Sequence, residues 1–316
     1  MGSRYLLRKR DRMTDADWLA DRFEAHRSHL RAVAYRMLGS VAEADDAVQE
    51  AWLRLSRSDV DEVRDLGAWL TTVVARLCLD QLRVRNARRE DEFDASVPDP
   101  IISIIDTIDP EHSAVLADSV GLAMLVVLDR LAPAERLAFV LHDVFGLPFE
   151  EIAPIVERSV IATRKLASRA RQMVRGVDPD SPTSIPGRAS IDRQRAVIAA
   201  FLEASRNGDL EGLVRILDPD VIVRADAGPG GSPAGRSQVI RGAEAAARSA
   251  LAFRRLAAGA REALINGTPG YVVFDGDRPY AILGFTMRED RIAELEILLD
   301  PARLAGLDLS AVRAAT

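Results

Sequence analysis

The chain has 316 residues, 48% of them hydrophobic, which is enough for two or three domains with sizeable cores. A formal net charge of −6 argues against a protein that coats nucleic acid but permits local contacts to DNA. No apolar run approaches the ~20 residues of a membrane span, the basic start lacks the apolar core of a signal peptide, and the single Cys78 excludes an internal disulfide.

The first domain-sized segment, residues 18–90, is rich in helical periodicity and poor in Gly and Pro. Met13 is a candidate start, which would make residues 1–12 an extension. The first helical pattern ends at Gly39, and Ser40 begins the second with Glu43 at capping-box spacing. A polar loop over 56–67 leads to a third pattern that ends strongly basic. We therefore predict three helices here. Separately, the single cysteine fits a protein of the reducing cytoplasm.

The segment 91–118 is acidic and contains no Lys or Arg, and Pro98, Pro100 and Pro110 interrupt any helix. We interpret it as a linker with a short apolar run at 101–105. It is either a disordered spacer that its charge keeps soluble, or a segment that occupies a basic channel on a partner in the manner of a nucleic-acid strand.

Residues 119–176 form a second helical pattern. Within it, Pro133 lies near the first turn of a helix, and a helix-turn-helix ends the segment. Ser159 can cap its last, basic helix, although Glu157 stands where such turns usually carry glycine. We expect an inner face of Val160, Leu166, Ala167, Ala170, Met173 and Val174. The outer face would carry Thr163, Arg164, Lys165, Ser168, Arg169 and Arg171.

A helix of this kind lies in the DNA major groove, with its early residues at base edges and its basic residues on phosphates. The alternative is a solvated helix face with uneven charge. Pro154 would cost the preceding helix a hydrogen bond if it lies past the first turn.

The last third begins after a Pro- and Ser-rich linker at 177–189. We predict one or two helices over 191–217 and strands at 221–224, 270–274, 280–287 and 292–299. Helices followed by a run of antiparallel strands indicate an α+β domain over 190–316 with a curved sheet.

The two helical segments together resemble bacterial sigma factors of the extracytoplasmic-function group. Residues 33–55 resemble the core-binding segment of sigma region 2, and residues 68–83 resemble the helix after its promoter-melting loop. Residues 131–153, LAPAERLAFVLHDVFGLPFEEIA, resemble region 4 together with the basic helix. The resemblance implies two all-α sigma domains, over 18–90 and 119–176, in a multidomain protein.

The last domain resembles the SnoaL-like family in residues 207–226 and in the ending ELEILLDPARL. This resemblance implies a cone-shaped domain with an apolar pocket that regulates the sigma domains. A subgroup of these sigma factors carries such a C-terminal domain. This chain differs from that subgroup in the spacing of its glycine-rich stretch and in carrying SVPDP, residues 96–100, in the linker. The regulatory residues implied are Asp226, Asn266, Gly267, Pro269 and Gly270.

The sigma resemblance implies two partners, core RNA polymerase and promoter DNA, and no membrane. The coiled coil of the largest polymerase subunit would contact a helix face with Asp45, Asp46, Gln49, Glu50 and Arg54. The alternative is that these residues form an ordinary solvated face. A flap of the second subunit would hold the region 4 domain. The −35 element would meet Ser159, Thr163, Arg164, Lys165, Ser168, Arg169 and Arg171.

For the −10 element, the resemblance implies that the loop 58–67 captures an unpaired base. Nearby phosphates would meet Arg64, Arg76, Arg83, Arg85, Arg88 and Arg89. The run from Arg83 has a second interpretation, in which a basic helix end complements the helix macrodipole.

The composition predicts no enzyme and no cofactor. The four histidines, at 26, 29, 112 and 142, all precede residue 177, so a His–Asp pair in the cone is impossible. Asp226 and Asp275 remain as lone acids, and no metal spacing or nucleophile elbow occurs. We expect a regulatory module, in which the cone is also a candidate site for a small ligand.

Two other classes of protein stay open at this stage. One is a stand-alone helix-turn-helix regulator, which would bind DNA without polymerase. The other is a small-molecule enzyme or sensor carried on a DNA-binding arm. If the chain is a sigma factor, we predict that the last domain restrains the free protein. Docking of this domain near the acidic linker would in turn support promoter activity of the active protein.

Overall fold

The computed structural model describes residues 2–58, 65–88, 96–104, 122–177 and 188–314. Its internal contacts divide the chain into two compact units. The first comprises Met1–Arg88 and Leu131–Arg171, and the second comprises Arg89–Arg130 and Gln172–Thr316. Among the described residues, no helix combines the length and apolar character that crossing a membrane requires.

The first unit begins with three helices, α1 (Gly2–Leu38), α2 (Val41–Leu55) and α3 (Leu66–Arg88). Gly39 ends α1 with a φ of 73°, a left-handed conformation that glycine adopts without a steric penalty. The faces that meet between the helices are apolar, and Phe23, Leu30 and Leu70 are almost fully buried there. The three helices predicted from periodicity are therefore present.

The predicted capping box at the start of α2 is wrong. Ser40 is the N-cap residue, but its side chain makes no capping hydrogen bond. Glu43 pairs instead with Arg85 of α3, which also donates to the Leu38 carbonyl over 3.1 Å. A charged guanidinium is a stronger partner for a carboxylate than a backbone amide is, so the contact between helices prevails.

The elements that follow α3 divide between the two units. Strand β1 (Ile102–Ser103) and helix α4 (Leu122–Asp129) belong to the second unit. Helices α5 (Pro133–Phe139) and α6 (Phe149–Val156) and most of α7 (Val160–Val177) belong to the first. Pro133 lies in the first turn of α5, as predicted, and a single wide helical turn, Val140–Val144, extends that helix.

The first unit is held together by contacts between its early and late helices. The buried Arg136 of α5 donates from Nε to the Arg36 carbonyl of α1 over 3.1 Å. The Phe145 ring meets the His29 ring at 5.1 Å, and the Arg36 guanidinium lies 4.8 Å from its centre. These polar and aromatic contacts anchor the wide turn onto α1.

The second unit is built on a seven-stranded sheet in the order β1-β4-β5-β6-β7-β2-β3. Its helices are α8 (Arg188–Asn207), α9 (Leu210–Ile216), α10 (Ala243–Ala252), α11 (Pro301–Ala305) and α12 (Ser310–Ala314). Its remaining strands are β2 (Leu217–Asp226), β3 (Gln238–Arg241), β4 (Ala260–Ile265), β5 (Thr268–Asp275), β6 (Arg278–Arg288) and β7 (Arg291–Leu298).

Neighbouring strands are antiparallel except for β2 and β7, which pair in parallel. The helical prediction for 191–217 is confirmed as two helices, and the four predicted strands are present, three of them longer than expected. Asp209 separates the helices by capping α9, accepting from the Gly212 amide over 2.8 Å. The prediction missed β1, β3 and β4, because they are short or carry no clean alternation of apolar and polar residues.

Candidate functional sites

The helix-turn-helix of α6 and α7 turns at Glu157, which has a φ of 57°. Ser159 then caps α7, and its Oγ accepts from the Ala162 amide over 3.3 Å, as the sequence predicted. Pro154 lies inside α6. It is exposed there, so the missing amide faces solvent rather than the core.

The outer face of α7 differs from the prediction at two positions. Thr163 is fully buried, and its hydroxyl donates to the Ser159 carbonyl over 3.0 Å, so it cannot meet DNA. Met173, assigned to the inner face, is 44% exposed. Buried positions instead follow the seam of Thr163, Ala167 and Ala170, where small side chains let the helix approach its neighbours.

Arg164, Lys165 and Arg169 of α7 are exposed and Arg171 is half-buried. Arg164 reaches Glu150 over 3.2 Å and its guanidinium lies 5.7 Å from the Phe149 ring centre. Arg171 pairs with Asp143 over 2.6 Å. The exposed pair of Arg164 with Glu150 contributes about 0–1 kcal/mol, so a phosphate can replace it. Lys165, Ser168 and Arg169 share this exposed face.

Helix α2 presents its acids on the face opposite its buried residues. Ala44, Ala47, Val48, Ala51 and Leu55 face the core, whereas Asp45, Asp46 and Gln49 are exposed and Glu50 is half-buried. Asp45 pairs with Arg31 over 2.6 Å and Glu50 with Arg54 over 3.0 Å. The predicted core-binding residues therefore form one polar surface, which we call the α2 acidic face.

The arginines predicted near the −10 element fall into different settings. Arg64, Arg89 and the side chain of Arg88 lie outside the described residues. Arg76 and Arg83 are exposed, and Arg83 pairs with Asp80 over 3.3 Å. Arg85 is committed to Glu43 and the Leu38 carbonyl, so its structural role competes with a DNA contact.

The linker adds an edge to the second unit's sheet through residues 101–103. Strand β1 pairs with β4, with Ile102 opposite Ile265. Asn266 completes the ladder, because its amide donates to the Ile101 carbonyl and its Oδ1 accepts from the Ile101 amide, both over 2.8 Å. Asn266 and Gly267 have φ values of 51° and 77°, which this tight hairpin turn requires.

A second contact holds the linker four residues earlier. Arg303 donates to Asp99 over 2.6 Å, to the Val97 carbonyl over 2.6 Å and to Asp226 over 2.8 Å. Asp226 also accepts from the Val97 amide over 2.9 Å. Asp300 caps α11 by accepting from the Ala302 amide and so places Arg303 in the first turn. We call Asp226, Asn266 and Arg303 the linker clamp.

Part of this clamp was predicted from the sequence. Asp226 and Asn266 contact the linker directly, while Gly267 serves the turn and Pro269 and Gly270 belong to β5. A Cβ at Gly270 would lie 2.4 Å from the Leu283 carbonyl oxygen, so glycine allows close strand packing there. Arg303 was missed, although the capping Asp300 and Pro301 before it mark a helix start.

A buried charge cluster lies on the same sheet. Arg224 donates to Glu294 over 2.7 Å and to Glu296 over 3.2 Å, and the three side chains are at most 8% exposed. Burial, followed by repulsion from Glu294, raises the pKa of Glu296 well above its usual value. Arg224 Nε and Glu296 Oε2 have no hydrogen-bond partner among the described residues. No sequence pattern indicated this cluster.

Helix α4 packs on strands β6 and β7. Gly284 of β6 permits this, since a Cβ there would lie 2.9 Å from Leu122 Cδ2. The sheet surface of the second unit is therefore covered in part by a segment that precedes residue 130.

The opposite face of the sheet lines a cavity of about 110 Å³ beneath α8 and α10. Val223, Ala225 and Leu295 line it, so Arg224 and Asp226 point to the other face of the pleated strand. Asp275 is exposed at the end of β5 and is absent from the lining. The two lone acids expected in the cone therefore do not lie there, and the described residues hold no cluster of metal ligands.

Comparison with known proteins gives consistent matches to both helical segments. A family model described as Sigma-70 region 2 matches residues 22–89, and one described as Sigma-70, region 4 matches residues 122–174. The ECF RNA polymerase sigma factor SigJ of Mycobacterium tuberculosis is 39% identical over 307 residues, covering 92% of this chain and 95% of SigJ.

Two further relatives extend this likeness along the chain. The probable ECF RNA polymerase sigma factor SigI of Mycobacterium tuberculosis is 33% identical over 293 residues, covering 92% of this chain and 97% of SigI. The crystal structure of Mycobacterium tuberculosis SigJ superposes with a TM-score of 0.72 at 35% identity, covering 92% of this chain and 99% of that chain. The likeness therefore extends over the C-terminal sheet domain.

Proposed function

The chain belongs to the extracytoplasmic-function family of RNA polymerase sigma factors, and from this we propose which of its surfaces binds polymerase, which contacts promoter DNA and which regulates transcription initiation. The α2 acidic face binds core polymerase. The exposed side of α7 contacts the −35 element. The C-terminal SnoaL-like domain regulates both steps through the linker clamp and α4.

The assignment of α2 to core binding is supported by its charge and rigidity. Asp45, Asp46 and Glu50 line one face, while the other face is fixed in the core. Pairs such as Glu50 with Arg54 are solvent-exposed, so a basic partner can exchange for them at little cost. Such a surface suits a positively charged coiled coil.

The assignment of α7 to DNA is supported by its exposed Arg164, Lys165, Ser168 and Arg169 on a capped helix. Arginine and lysine supply phosphate contacts and bidentate guanine contacts. Thr163 takes no part because it is buried.

Regulation by the C-terminal domain is supported by two sets of contacts. The clamp holds residues 97–103, which connect the two matched sigma regions. Helix α4, where the region 4 match begins, packs on β6 and β7. While both contacts persist, the linker and the start of the region 4 match stay bound to the C-terminal domain. Releasing them is therefore a step at which promoter binding is controlled.

We keep a non-enzymatic role for this domain, because the cavity lining contains no acid and no histidine. The stand-alone regulator is less favoured, because it gives no purpose to the region 2 match over 22–89.

The test of this function is a pull-down of purified bacterial core polymerase by the full chain and by the double variant Asp46→Lys/Glu50→Lys. We expect stoichiometric binding that the charge reversal abolishes. Glu24→Lys is the matched control, because Glu24 also forms an exposed ion pair on a helix, with Arg27. A truncated chain ending at residue 180 measures how far the C-terminal domain restrains binding.

Failure of both the full chain and the truncated chain to bind core polymerase would refute the proposal and favour the stand-alone regulator. Binding by the truncated chain alone would show that the C-terminal domain is purely inhibitory, against its proposed supporting role. Retention of binding by the double variant would move the core-binding surface away from α2.

A further inference from the structure

The cavity in the second unit has an unequal distribution of polar groups. Its interior is formed by apolar side chains such as Phe201, Leu217, Val223 and Leu295. Among the lining residues the single charged side chain is Arg236, which is exposed on the glycine-rich loop before β3. An apolar interior below a cationic edge is complementary to a molecule with an apolar body and an anionic head.

Neutral polar groups of the lining can also bind an anion. Gln238 follows Arg236 closely along the chain, and Tyr280 also lines the cavity. Burial, with a smaller contribution from Asp275, raises the pKa of Tyr280. Its hydroxyl therefore stays protonated at neutral pH and remains a hydrogen-bond donor for an anion.

We propose that this cavity binds a small amphipathic carboxylate, with Arg236 at the carboxylate and the hydrocarbon portion in the apolar interior. The size fits such a ligand, since the space of about 110 Å³ is similar to an engineered cavity of about 150 Å³ that holds benzene. A short hydrocarbon segment fills it, and the head group remains near the open edge.

The ligand site adjoins the linker clamp through shared backbone. Ala225 lines the cavity, while its neighbour Asp226 holds the linker. Ser237 lies between the lining residues Arg236 and Gln238, and its Oγ accepts from the Ala227 amide over 2.9 Å and donates to Asp226 over 3.4 Å. Occupancy at Arg236 therefore acts on the loop that supports the clamp. This regulatory consequence rests on the proposed function, whereas ligand binding itself does not.

The experiment is isothermal titration calorimetry of the full-length protein with octanoate, and with octan-1-ol as the uncharged analogue. We expect saturable binding of octanoate that weakens about ten- to a hundred-fold in Arg236→Gln, because a charge-assisted contact is lost. Octan-1-ol should bind more weakly to the wild type and be unaffected by that substitution. Arg255→Gln is the control, since Arg255 is an exposed arginine outside the lining.

A second variant, Ala250→Phe, fills the cavity from α10 and should abolish binding of both compounds while Arg236 is retained. The absence of saturable octanoate binding to the wild type would overturn the proposal, as would equal affinities of wild type and Arg236→Gln. Neither result depends on polymerase, so failure here is distinct from failure of the sigma-factor assignment.

Hydrogen–deuterium exchange tests the link to the clamp in the same samples. Saturating octanoate should change amide exchange in residues 97–103, whose Val97 and Ile101 amides donate to Asp226 and Asn266. Linkage then requires that undocking of the linker change octanoate affinity by the factor by which octanoate changes linker docking. Unchanged exchange with bound octanoate would overturn the link.

Discussion

Replacing Arg303 by glutamine should release the linker from the C-terminal domain. Its guanidinium contacts three linker or clamp groups, namely the Asp99 carboxylate, the Val97 carbonyl and the Asp226 carboxylate. Glutamine is shorter and neutral, so it cannot reproduce them. Asp226 would then retain the Val97 amide, the Gly228 amide and the Ser237 hydroxyl but lose its cationic partner.

The size of the effect follows from the burial of these groups. The Arg303 side chain is 28% exposed, Asp99 is 18% exposed and Asp226 is 9% exposed. A hydrogen bond to a charged group contributes about 1.5–3 kcal/mol, and pairs with solvent access contribute less. We therefore expect linker docking to weaken by about 2–4 kcal/mol, since the most buried contact, with Asp226, dominates.

Hydrogen–deuterium exchange of the full-length protein measures this docking. A loss of 2–4 kcal/mol corresponds to about 30- to 900-fold faster exchange at the Val97 and Ile101 amides if they exchange by local opening. Arg248→Gln is the matched control, since the pair of Arg248 with Glu244 on α10 is largely exposed and distant from the clamp residues in sequence. Its exchange over 97–103 should equal that of the wild type.

An unchanged exchange rate over 97–103 in Arg303→Gln would refute the view that the guanidinium holds the linker. Faster exchange throughout the domain would instead indicate general destabilisation. The same variant, assayed in promoter-directed transcription with core polymerase, should alter activity if linker docking regulates initiation.

Four further outcomes follow from single residues. Glu157→Gly should raise the free energy of unfolding by about 1 kcal/mol, measured in urea, because glycine removes the left-handed strain at a φ of 57°. The pKa of Glu296 is raised in the folded protein, so its contribution to stability is complete below its unfolded pKa and declines as pH rises. Between pH 5 and pH 8, the free energy of unfolding measured in urea should therefore fall less in Glu296→Gln than in wild type. Gly270→Ala should destabilise by about 1–3 kcal/mol through overpacking, whereas Gly230→Ala, with open space around it, should be neutral in the same thermal melts. Burial raises the pKa of Cys78 to about 12, so a thiol reagent at pH 8 should label it only after denaturation, and rapid labelling of the native protein would contradict its burial.

Local pattern was sufficient for the elements whose signals lie within one segment. The cap at Ser159 and the basic face of α7 depend on neighbours three or four residues away, so the sequence predicts them. The same holds for Pro133 in the first turn of α5. Thr163 was misassigned because a hydroxyl that bonds to its own helix backbone can be buried without penalty.

The linker illustrates the limit of such reasoning. Its apolar run was visible, and docking near it was expected, but β1 exists only because the edge of β4 and the turn at Asn266 are available to it. A two-residue strand has no periodicity of its own. Its partner at Ile265 is more than 160 residues later in the chain, so its pairing is a property of the assembled sheet.

By itself, the sequence determined the order of helical and sheet segments, the helix-turn-helix, the family resemblance and the absence of a histidine from the cone. Only the tertiary structure decided that Arg303 completes the linker clamp, that Arg224 and two glutamates share a buried site, and that Arg236 is the charged residue of the cavity lining. The physical reason is range. Caps, turns and amphipathic faces are set by neighbours a few residues apart, whereas ion pairs and cavities depend on which distant strands the sheet brings together.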